Sequence, residues 1–326
     1  MTPNGDFVGD LLAQVRVAMA EGSTRFLFWG YNDQCIALLA AVREIGLPDA
    51  YIVGIADERS EVQGKLVHGF TILAPCTLQA LDIDAVVIMT DVSKERALVS
   101  LAASYSGAPR VILAGMQHLE FADAAFDEIL QSCLVKSYAN GYRSSLIHLY
   151  QAIQYLAASG LSGSVAEFGI CKGGTIVFIK KVLEHFGLRD ADVFGFDIFD
   201  GFPARRSPLD LYRHAKCEFR DYATVTAYCE RFGVKVIKGD ICDTYSFLEG
   251  KPLILSFFDT DNYSPAKAAL NLCVRQTARG GIIFFDHYTT ERDYLYTIGE
   301  RIAANEFLTA RHFFNPHGTG LFIKIS

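Results

Sequence analysis

The sequence lacks the features that mark nucleic-acid-binding and membrane-spanning proteins. Its 326 residues carry a formal net charge of −7, whereas binding to nucleic-acid phosphates needs a basic face. No apolar run approaches the roughly 20 residues that a membrane-spanning helix needs. We therefore expect neither a nucleic-acid partner nor a membrane span.

Closely spaced cysteine pairs are also missing. The chain has eight cysteines, at positions 35, 76, 133, 171, 217, 229, 242 and 273. None of them forms a C-x-x-C pair, the spacing typical of zinc clusters and redox motifs. The stretch Met1-Thr-Pro-Asn-Gly-Asp-Phe7 is acidic and has no hydrophobic region of a secretory signal. These absences argue against a zinc cluster and a disulfide framework, and they predict a cytoplasmic protein.

Alternating strand and helix patterns are present in both halves of the chain. Hydrophobic residues make up 51% of the sequence and charged residues 21%, which is ordinary for an α/β protein. Such alternation predicts parallel sheets covered by helices on both faces. We predict two Rossmann-like domains, at residues 1–117 and 141–326, joined by a helical connector over residues 118–140. In the second half a strand is predicted over Leu253–Phe258, a turn at Gly280-Gly281 and a last helix over Glu291–Ala304. Two closing strands, Thr309–Phe314 and Gly320–Lys324, predict a mixed second sheet.

A glycine turn in the second half is the most informative local pattern. A predicted strand, Ser164–Phe168, leads into this turn and then into an apolar helix. The next predicted strand ends on Asp197, 24 residues after Gly173, which is the spacing of a βαβ nucleoside site. Cys171 occupies the position where a dinucleotide fingerprint needs its second glycine, so a ligand without a pyrophosphate fits better.

Glu167 on the first strand of this pattern suits a positively charged or amino-bearing ligand. S-adenosylmethionine is such a ligand, and it has no pyrophosphate. The alternative is that the glycine turn only packs the helix against the strand.

The first half has a weaker outline of the same kind. Gly30 follows the first predicted strand and Asp57 the second, but Asn32 and Cys35 stand where further glycines belong. The stretch from Asp57 to Leu73 resembles the small Rossmann-like domain that precedes sugar acyltransferases. Ligand binding, a scaffold role and an oligomer contact all remain open for this half.

Four acidic positions follow four predicted strands of the second half. They are Asp197, Asp240, Asp259 with Asp261, and Asp286. Ligands bind at this edge of open parallel sheets, and carboxylates that face one crevice repel each other unless they are neutralised. A hard divalent cation would neutralise them, and carboxylates with water suit Mg²⁺. A single strand-end aspartate can instead cap the following helix.

The combination of four motifs resembles the macrocin-type (TylF-like) sugar O-methyltransferases over about residues 136–325. The motifs are E-x-G-x-x-x-G-G, F-D-I-F-D-G-F-P, D-T-D-N-Y and G-G-I-I-F-F-D-H-Y, which begin at Glu167, Phe196, Asp259 and Gly280. The resemblance implies S-adenosylmethionine as donor, a Mg²⁺ ion and a sugar hydroxyl as acceptor. The seven predicted strands, which end in an antiparallel pair, look like the mixed sheet of a class I methyltransferase fold.

The resemblance also implies roles for individual residues. The methionine and ribose side of the donor would be lined by Glu167, Gly169, Gly173 and Gly174, with Asp197 at the ribose and Asp240 by the adenine. Asp259 would lie at the cofactor and, with Asp286, hold the metal.

His287 departs from the family pattern, which has a second acid after Asp286. It is a candidate metal ligand that would shift the preference toward Mn²⁺ or Fe²⁺, or a general base. Loss of metal dependence is the third alternative. Asp261 or His287 would take the proton of the acceptor hydroxyl.

The loop after Asp197 is long and basic. Arg205, Arg206 and Arg213 would suit a phosphate-bearing acceptor such as a nucleotide sugar. The alternative is an exposed, solvated loop. Loops of this length are often lids.

The sequence thus predicts an O-methyltransferase that modifies a sugar, a nucleotide sugar or a glycosylated product, assisted by a divalent metal. Two alternatives stay open: a non-catalytic nucleotide-sensing protein, and an NAD-dependent oxidoreductase that uses the first half. A homo-oligomer is expected only because oligomers are common.

Overall fold

Two separate β-sheets, each flanked by helices, divide the chain. The computed structural model describes residues 7–115, 121, 123–137, 143–288 and 292–326. The chain forms two units, Met1–Ala122 and Asp123–Ser326. Both units combine helices with a sheet, so the predicted α/β class is confirmed. Of the predicted connector, residues 118–120, 122 and 138–140 lie outside the described residues.

The first unit contains a six-stranded sheet. Its elements are α1 (Phe7–Ala20), β1 (Phe26–Trp29), α2 (Asp33–Glu44), β2 (Ile52–Ala56), β3 (Leu66–Val67), β4 (Phe70–Leu73), β5 (Ala85–Ile88), α3 (Lys94–Ser104) and β6 (Arg110–Ile112). The strand order is β3-β4-β2-β1-β5-β6. All pairs are parallel except β3 with β4.

Strand β1 shows why this sheet is covered on both faces. Its residues alternate between two buried clusters, with Phe26 and Phe28 in one and Leu27 and Trp29 in the other. A central parallel strand that is buried on both faces produces this uninterrupted apolar run. The β3–β4 hairpin lacks such a run, so the sequence pattern does not predict it.

The second unit contains a seven-stranded sheet. Its elements are α4 (Ala124–Gln131), α5 (Arg143–Ala158), β7 (Ser164–Phe168), α6 (Gly174–His185), β8 (Val193–Asp197), α7 (Tyr222–Glu230), β9 (Val234–Lys238), α8 (Ile241–Thr244), β10 (Leu253–Phe258), α9 (Tyr263–Gln276), β11 (Thr277–Phe285), α10 (Ile298–Phe307), β12 (Phe313–Phe314) and β13 (Leu321–Lys324).

The strand order of this sheet is β12-β13-β11-β10-β7-β8-β9. Strand β13 runs antiparallel to both β11 and β12, while the other pairs are parallel. The predicted mixed sheet of seven strands is confirmed. Among the residues of this unit that the structure describes, 3₁₀ turns also lie at Ala215–Cys217, Tyr245–Leu248 and Arg292–Thr297.

Two predicted boundaries in this unit were wrong. The turn predicted at Gly280-Gly281 lies inside β11, which starts at Thr277 and pairs with β10 through a register shift. The last helix, predicted from Glu291, begins at Ile298, because the preceding residues Arg292–Thr297 form a 3₁₀ turn. Glu291 itself lies outside the described residues.

Four phenylalanines align the strand ends below the site. Phe196, Phe168, Phe258 and Phe285 come from the adjacent strands β8, β7, β10 and β11, and they are paired in register. Neighbouring ring centroids lie 5.0, 4.8 and 4.9 Å apart, and each residue is at most 1% exposed. We call these four residues the phenylalanine ladder. Phe168, Phe258 and Phe285 end their strands and Phe196 is the penultimate residue of β8, so the ladder aligns the carboxyl ends of the four strands and the loops that follow them.

Candidate active site

A pocket lies at the carboxyl edge of the parallel strands in the second unit. Cys171 and the loop arginines Arg205, Arg206 and Arg213 line it. Of the ten residues with predicted donor-binding, metal-binding or proton-accepting roles, six line it: Gly169, Asp197, Asp240, Asp259, Asp261 and His287. Four others do not line it, namely Glu167, Gly173, Gly174 and Asp286. Parallel strands deliver their carboxyl ends to one edge, which is why residues far apart in sequence meet here.

The glycine turn passes directly against the loop that follows β10. Gly169 has a φ of +97°, and a Cβ on it would lie 2.0 Å from the carbonyl oxygen of Asp259. Only glycine satisfies both the backbone conformation and this close approach. Gly173 and Gly174 have packing contacts instead, since a Cβ would meet Cys229 Sγ at 2.7 Å and the Lys136 carbonyl oxygen at 2.6 Å, respectively. Their cofactor-binding role stays a prediction.

Asp197 faces the glycine turn from the end of β8. Its Oδ2 accepts a hydrogen bond from the Cys171 backbone N–H at 2.7 Å, and its Oδ1 accepts one from Phe199 N–H at 3.1 Å. Burial raises the pKa of Asp197 to about 6, although the hydrogen bonds from Phe199 and Cys171 oppose the shift. The carboxylate is thereby fixed in orientation where it lines the pocket.

Asp240 lies at the start of α8 and caps it. Its Oδ1 accepts from Cys242 N–H at 2.9 Å, and its Oδ2 accepts from Arg206 Nη2 at the same distance. Arg206 also donates to Asp243 Oδ2 at 3.0 Å. A phosphate would have to compete with two carboxylates for this guanidinium, which weakens the prediction that Arg206 contacts a phosphate-bearing acceptor.

Glu167 lies in the core beneath the glycine turn. It is 1% exposed. Burial raises its pKa well above the usual range, and the charges of Asp259 and Asp286 add to the shift. The protonated form is therefore favoured, and the predicted attraction of Glu167 for a cationic ligand is weakened by the loss of its charge.

Asp259, Asp261 and His287 form a group of potential metal ligands. One donor atom from each of them lies within 4.8 Å of the others. His287 Nε2 is 3.0 Å from Asp261 Oδ1 and 3.3 Å from Asp259 Oδ1. Asp286 lies just outside this group, with its Oδ2 3.5 Å from the same nitrogen and its side chain fully buried. The prediction that Asp286 is a metal ligand stays a prediction, and Asp261 joins the candidates.

The protonation of this group follows from its burial and charge. Burial by itself lowers the pKa of His287, but hydrogen bonds to Asp259 and Asp261 and the nearby negative charges raise it to about 12. Burial raises the pKa of Asp261, while its hydrogen bond with His287 lowers it. The raised pKa favours the protonated imidazole beside the two carboxylates, so a bound cation would replace the His287 proton between them.

The donor set fits a divalent cation. Octahedral ligands about 2.1 Å from Mg²⁺ lie roughly 3 Å apart when they are adjacent, which matches the separations of His287 Nε2 from the two carboxylate oxygens. Two carboxylates with one imidazole also suit Mn²⁺. These three residues could therefore hold a metal ion with little rearrangement.

The long basic loop after Asp197 is hydrogen-bonded to the residues at the start of α9. Asp210, 7% exposed, accepts hydrogen bonds from Ser264 N–H and Oγ–H, both at 2.8 Å. Tyr212 N–H donates to Asn262 Oδ1 at 2.9 Å, and Asn262 Nδ2 donates back to the Tyr212 carbonyl oxygen at 3.2 Å. The loop also lines the pocket through Phe202, Tyr212, Cys217 and Phe219. No sequence motif marks Asp210, so the sequence predicts no role for it.

A sheet with this strand order, and a pocket at the carboxyl edge of its parallel strands, defines an α/β methyltransferase fold. Residues 137–315 match the model of the macrocin-O-methyltransferase (TylF) family. The match covers more than half of the chain, and the chain belongs to this family.

Two relatives support the assignment at the level of sequence. The chain is 26% identical over 157 residues to mycinamicin III 3''-O-methyltransferase of Micromonospora griseorubida, covering 44% of this chain and 62% of that protein. It is 26% identical over 194 residues to 8-demethyl-8-(2,3-dimethoxy-alpha-L-rhamnosyl)-tetracenomycin-C 4'-O-methyltransferase of Streptomyces olivaceus, covering 54% of this chain and 71% of that protein.

Solved structures with similar architecture include the O-methyltransferase NovP. That likeness has a TM-score of 0.49 at 17% identity and covers 62% of this chain and 98% of NovP. The calicheamicin methyltransferase CalS11 gives a TM-score of 0.44 at 18% identity, covering 61% of this chain and 89% of that protein. Among the described helices of the present chain, none is long and apolar enough to cross a membrane.

Proposed function

We propose that this chain transfers a methyl group from S-adenosylmethionine to a hydroxyl of a sugar, a nucleotide sugar or a glycosylated small molecule. One observation carries the proposal: a single pocket joins Gly169 and Asp197 to the group Asp259, Asp261 and His287. Family membership supports it, and both sequence relatives are named as O-methyltransferases of glycosylated compounds.

The donor would bind between the glycine turn and Asp197. The absent side chain of Gly169 lets backbone and ligand approach closely, and the Asp197 carboxylate is held by Cys171 and Phe199 N–H groups in a fixed orientation. Because this carboxylate is already fixed, it would accept hydrogen bonds from two ribose hydroxyls without a further loss of side-chain entropy. Asp240 lines the same pocket and would lie at the adenine end.

A divalent cation would be held by Asp259, Asp261 and His287. When bound, such an ion would acidify a coordinated hydroxyl and so assist its deprotonation. The three side chains are 5–17% exposed, so they are largely shielded from water while still reaching the pocket. Their separations would need little change to receive the ion.

Asp261 would accept the proton of the acceptor hydroxyl. Its carboxylate lines the pocket on the same side as Asp259 and His287, where an acceptor oxygen must lie if it is to meet the methyl group in line. Much of the acceleration would come from this alignment of acceptor and donor. Tyr212 and Phe202, from the long loop after Asp197, would form the apolar surface of the pocket that orients the sugar ring.

Calorimetric titration with S-adenosylmethionine tests the donor part. We expect micromolar binding by the wild-type chain and loss of binding in Asp197→Ala. Asp200→Asn changes an exposed residue of the loop that follows Asp197. It serves as the control and should bind S-adenosylmethionine normally. No binding by the wild type would overturn the proposal. An acceptor screen with nucleotide sugars and glycosylated compounds, with Mg²⁺ or EDTA, then tests turnover.

The metal ligands are tested separately by titration with Mn²⁺. We expect Asp259→Asn and Asp261→Asn each to weaken Mn²⁺ binding at least tenfold, and Asp286→Asn to weaken it less. An equal loss in Asp286→Asn would instead support the ligand role that the family resemblance implies.

We further propose that the first unit is a Rossmann-like domain with a ligand-binding role. A pocket at the ends of β1, β2 and β5 supports this, with Gly30, Asp57 and Thr90 in its lining. Both Asp57 oxygens are engaged by Arg59 at 2.9 and 3.0 Å, which disfavours NAD because the ribose would need that carboxylate. We also propose that the domain limits are those predicted from the sequence, that the protein is cytoplasmic and that it forms a homo-oligomer.

A further inference from the structure

A buried carboxylate lies behind the loop that carries two of the candidate metal ligands. Glu300 on α10 is 0% exposed. Its Oε1 accepts a hydrogen bond from Thr260 N–H at 2.9 Å and another from Thr260 Oγ1–H at 2.7 Å. Thr260 lies between Asp259 and Asp261. One oxygen of Glu300 therefore holds the centre of the loop Asp259–Asp261, which carries two candidate metal ligands and which we call the ligand loop.

The ligand loop needs such support because its backbone is strained. Asp261 has a φ of +60°, in the left-handed region that non-glycine residues rarely adopt. Next to it, Asn262 N–H donates to the Thr260 carbonyl oxygen at 2.6 Å, which closes a tight turn. Strained residues persist when the surrounding structure fixes them. Glu300 accepts from both the N–H and the hydroxyl of Thr260, and the hydroxyl also lies 3.4 Å from the Asn262 carbonyl oxygen.

A carboxyl group is a costly way to fill this position. Removing a polar group from water is unfavourable unless it is hydrogen-bonded, and an apolar side chain of similar volume would often be as stable. The same helix shows the contrast, since Glu306 lies at the surface and pairs there with Lys267 at 2.9 Å. The position of Glu300 therefore points to a role in ordering the loop.

We propose that Glu300 is a positioning residue that, through Thr260, sets the separation of the Asp259 and Asp261 carboxylates for cation binding. The inference rests on the proposed metal site. It assigns Glu300 no contact with donor, acceptor or cation. A change at Glu300 or Thr260 should therefore weaken cation binding and leave binding of S-adenosylmethionine intact.

Four variants separate this role from a purely structural one. Thr260→Val removes the hydroxyl donor at nearly constant volume, and Thr260→Ser restores it. Glu300→Gln keeps an acceptor oxygen but replaces the carboxyl group by an amide. Glu306→Gln changes an exposed glutamate of the same helix and is the matched control. Because these changes are small, folding should survive in at least the two threonine variants.

The readouts are Mn²⁺ affinity by titration, S-adenosylmethionine affinity and the thermal midpoint. We expect Mn²⁺ to bind about tenfold more weakly in Thr260→Val and several-fold more weakly in Glu300→Gln. Thr260→Ser and Glu306→Gln should bind Mn²⁺ within twofold of wild type. S-adenosylmethionine affinity should change less than twofold in every variant, which a general loss of structure would not allow.

Two results would overturn the inference, and they are distinguishable. If the wild type binds Mn²⁺ and both Thr260→Val and Glu300→Gln bind it equally well, Glu300 does not position the ligands, while the proposed function stands. If the folded wild type binds S-adenosylmethionine but no Mn²⁺, the metal part of the proposed function fails and the positioning role fails with it.

Discussion

Gly169 lies so close to Asp259 that a Cβ on the glycine would come within 2.0 Å of the aspartate carbonyl oxygen. The Asp259 N–H also donates to the Phe168 carbonyl oxygen at 2.9 Å. The donor-side turn and the ligand loop are thus in direct backbone contact. A Cβ at position 169 would therefore have to displace one of these two backbone segments.

The first prediction follows from this contact. Gly169→Ala should destabilise the second unit by several kcal/mol or displace the ligand loop, because the contact is with backbone that cannot rotate away. Binding of S-adenosylmethionine, measured by calorimetry, should be lost.

Gly187→Ala is the matched control for this change. Gly187 also has a positive φ, +83°, but nothing lies within 4 Å of its missing Cβ. Its cost should be about 1 kcal/mol, from backbone strain alone. Equal stability and equal ligand binding in the two variants would show that the close approach at Gly169 is unimportant.

The phenylalanine ladder gives a second prediction. Phe258→Ala should cost about 3–5 kcal/mol of unfolding free energy, as is usual for a buried aromatic residue. It should also weaken binding of S-adenosylmethionine, because the ladder aligns the loops at the strand ends. Phe247→Ala, at a residue 61% exposed, should cost less than about 1 kcal/mol.

The single tryptophan makes the stability measurement specific. Trp29 lies in the first unit, so its fluorescence follows that unit, whereas far-UV circular dichroism follows both. The loss in Phe258→Ala should show in circular dichroism with the Trp29 transition unchanged. A shift of the fluorescence transition instead would mean that the two units do not unfold independently.

The sequence was sufficient to predict most of the second sheet and the position of its pocket. Strands β7 and β10 have the predicted limits, because each is a short apolar run bounded by turn residues. Asp197 and Asp259 could be placed at one edge since each directly follows or ends such a run, and parallel strands share that edge.

Two other contacts of the site, Glu300 with Thr260 and Arg206 with Asp240, have no recognisable sequence pattern. Glu300 lies 40 residues from Thr260, on a helix whose start was predicted wrongly, and nothing in its neighbourhood marks a buried acid. The pairing of Arg206 with Asp240 depends on how the long loop folds back. Loop conformation is set by such distant contacts rather than by periodicity, so both arrangements required the structure.

The pKa of Asp197 gives a third prediction, for binding as a function of pH. Burial raises this pKa to about 6, and the ribose hydroxyls would donate to the ionised carboxylate. S-adenosylmethionine affinity should therefore be constant above about pH 7 and fall as pH drops through 6, reaching roughly a tenfold loss at pH 5.

Calorimetry at a series of pH values checks this expectation. Asp197→Asn should bind weakly with little pH dependence over the same range, whereas Asp200→Asn should keep the wild-type profile. A profile that stays flat to pH 5 in the wild type would exclude Asp197 as the titrating acceptor.

The last prediction concerns the stability of the first unit. Asp57 is 6% exposed at its side chain and pairs with Arg59, and it also accepts from Tyr31 N–H at 2.8 Å. Burial alone raises the pKa of Asp57, but these hydrogen bonds outweigh burial and hold the pKa below its usual value. A lowered folded-state pKa means that the ionised group stabilises the fold above about pH 4, and that this contribution is lost as pH falls further.

Asp57→Asn should therefore reduce the unfolding free energy by roughly 1–3 kcal/mol at pH 7, since hydrogen bonds to a charged group are lost. The difference from wild type should shrink as the pH is lowered below about 4, in urea unfolding followed by Trp29 fluorescence. Asp49→Asn breaks the more exposed pair with Arg43 and should cost less than about 1 kcal/mol. A pH-independent difference for Asp57→Asn would mean that packing, and not the charge of Asp57, accounts for the loss.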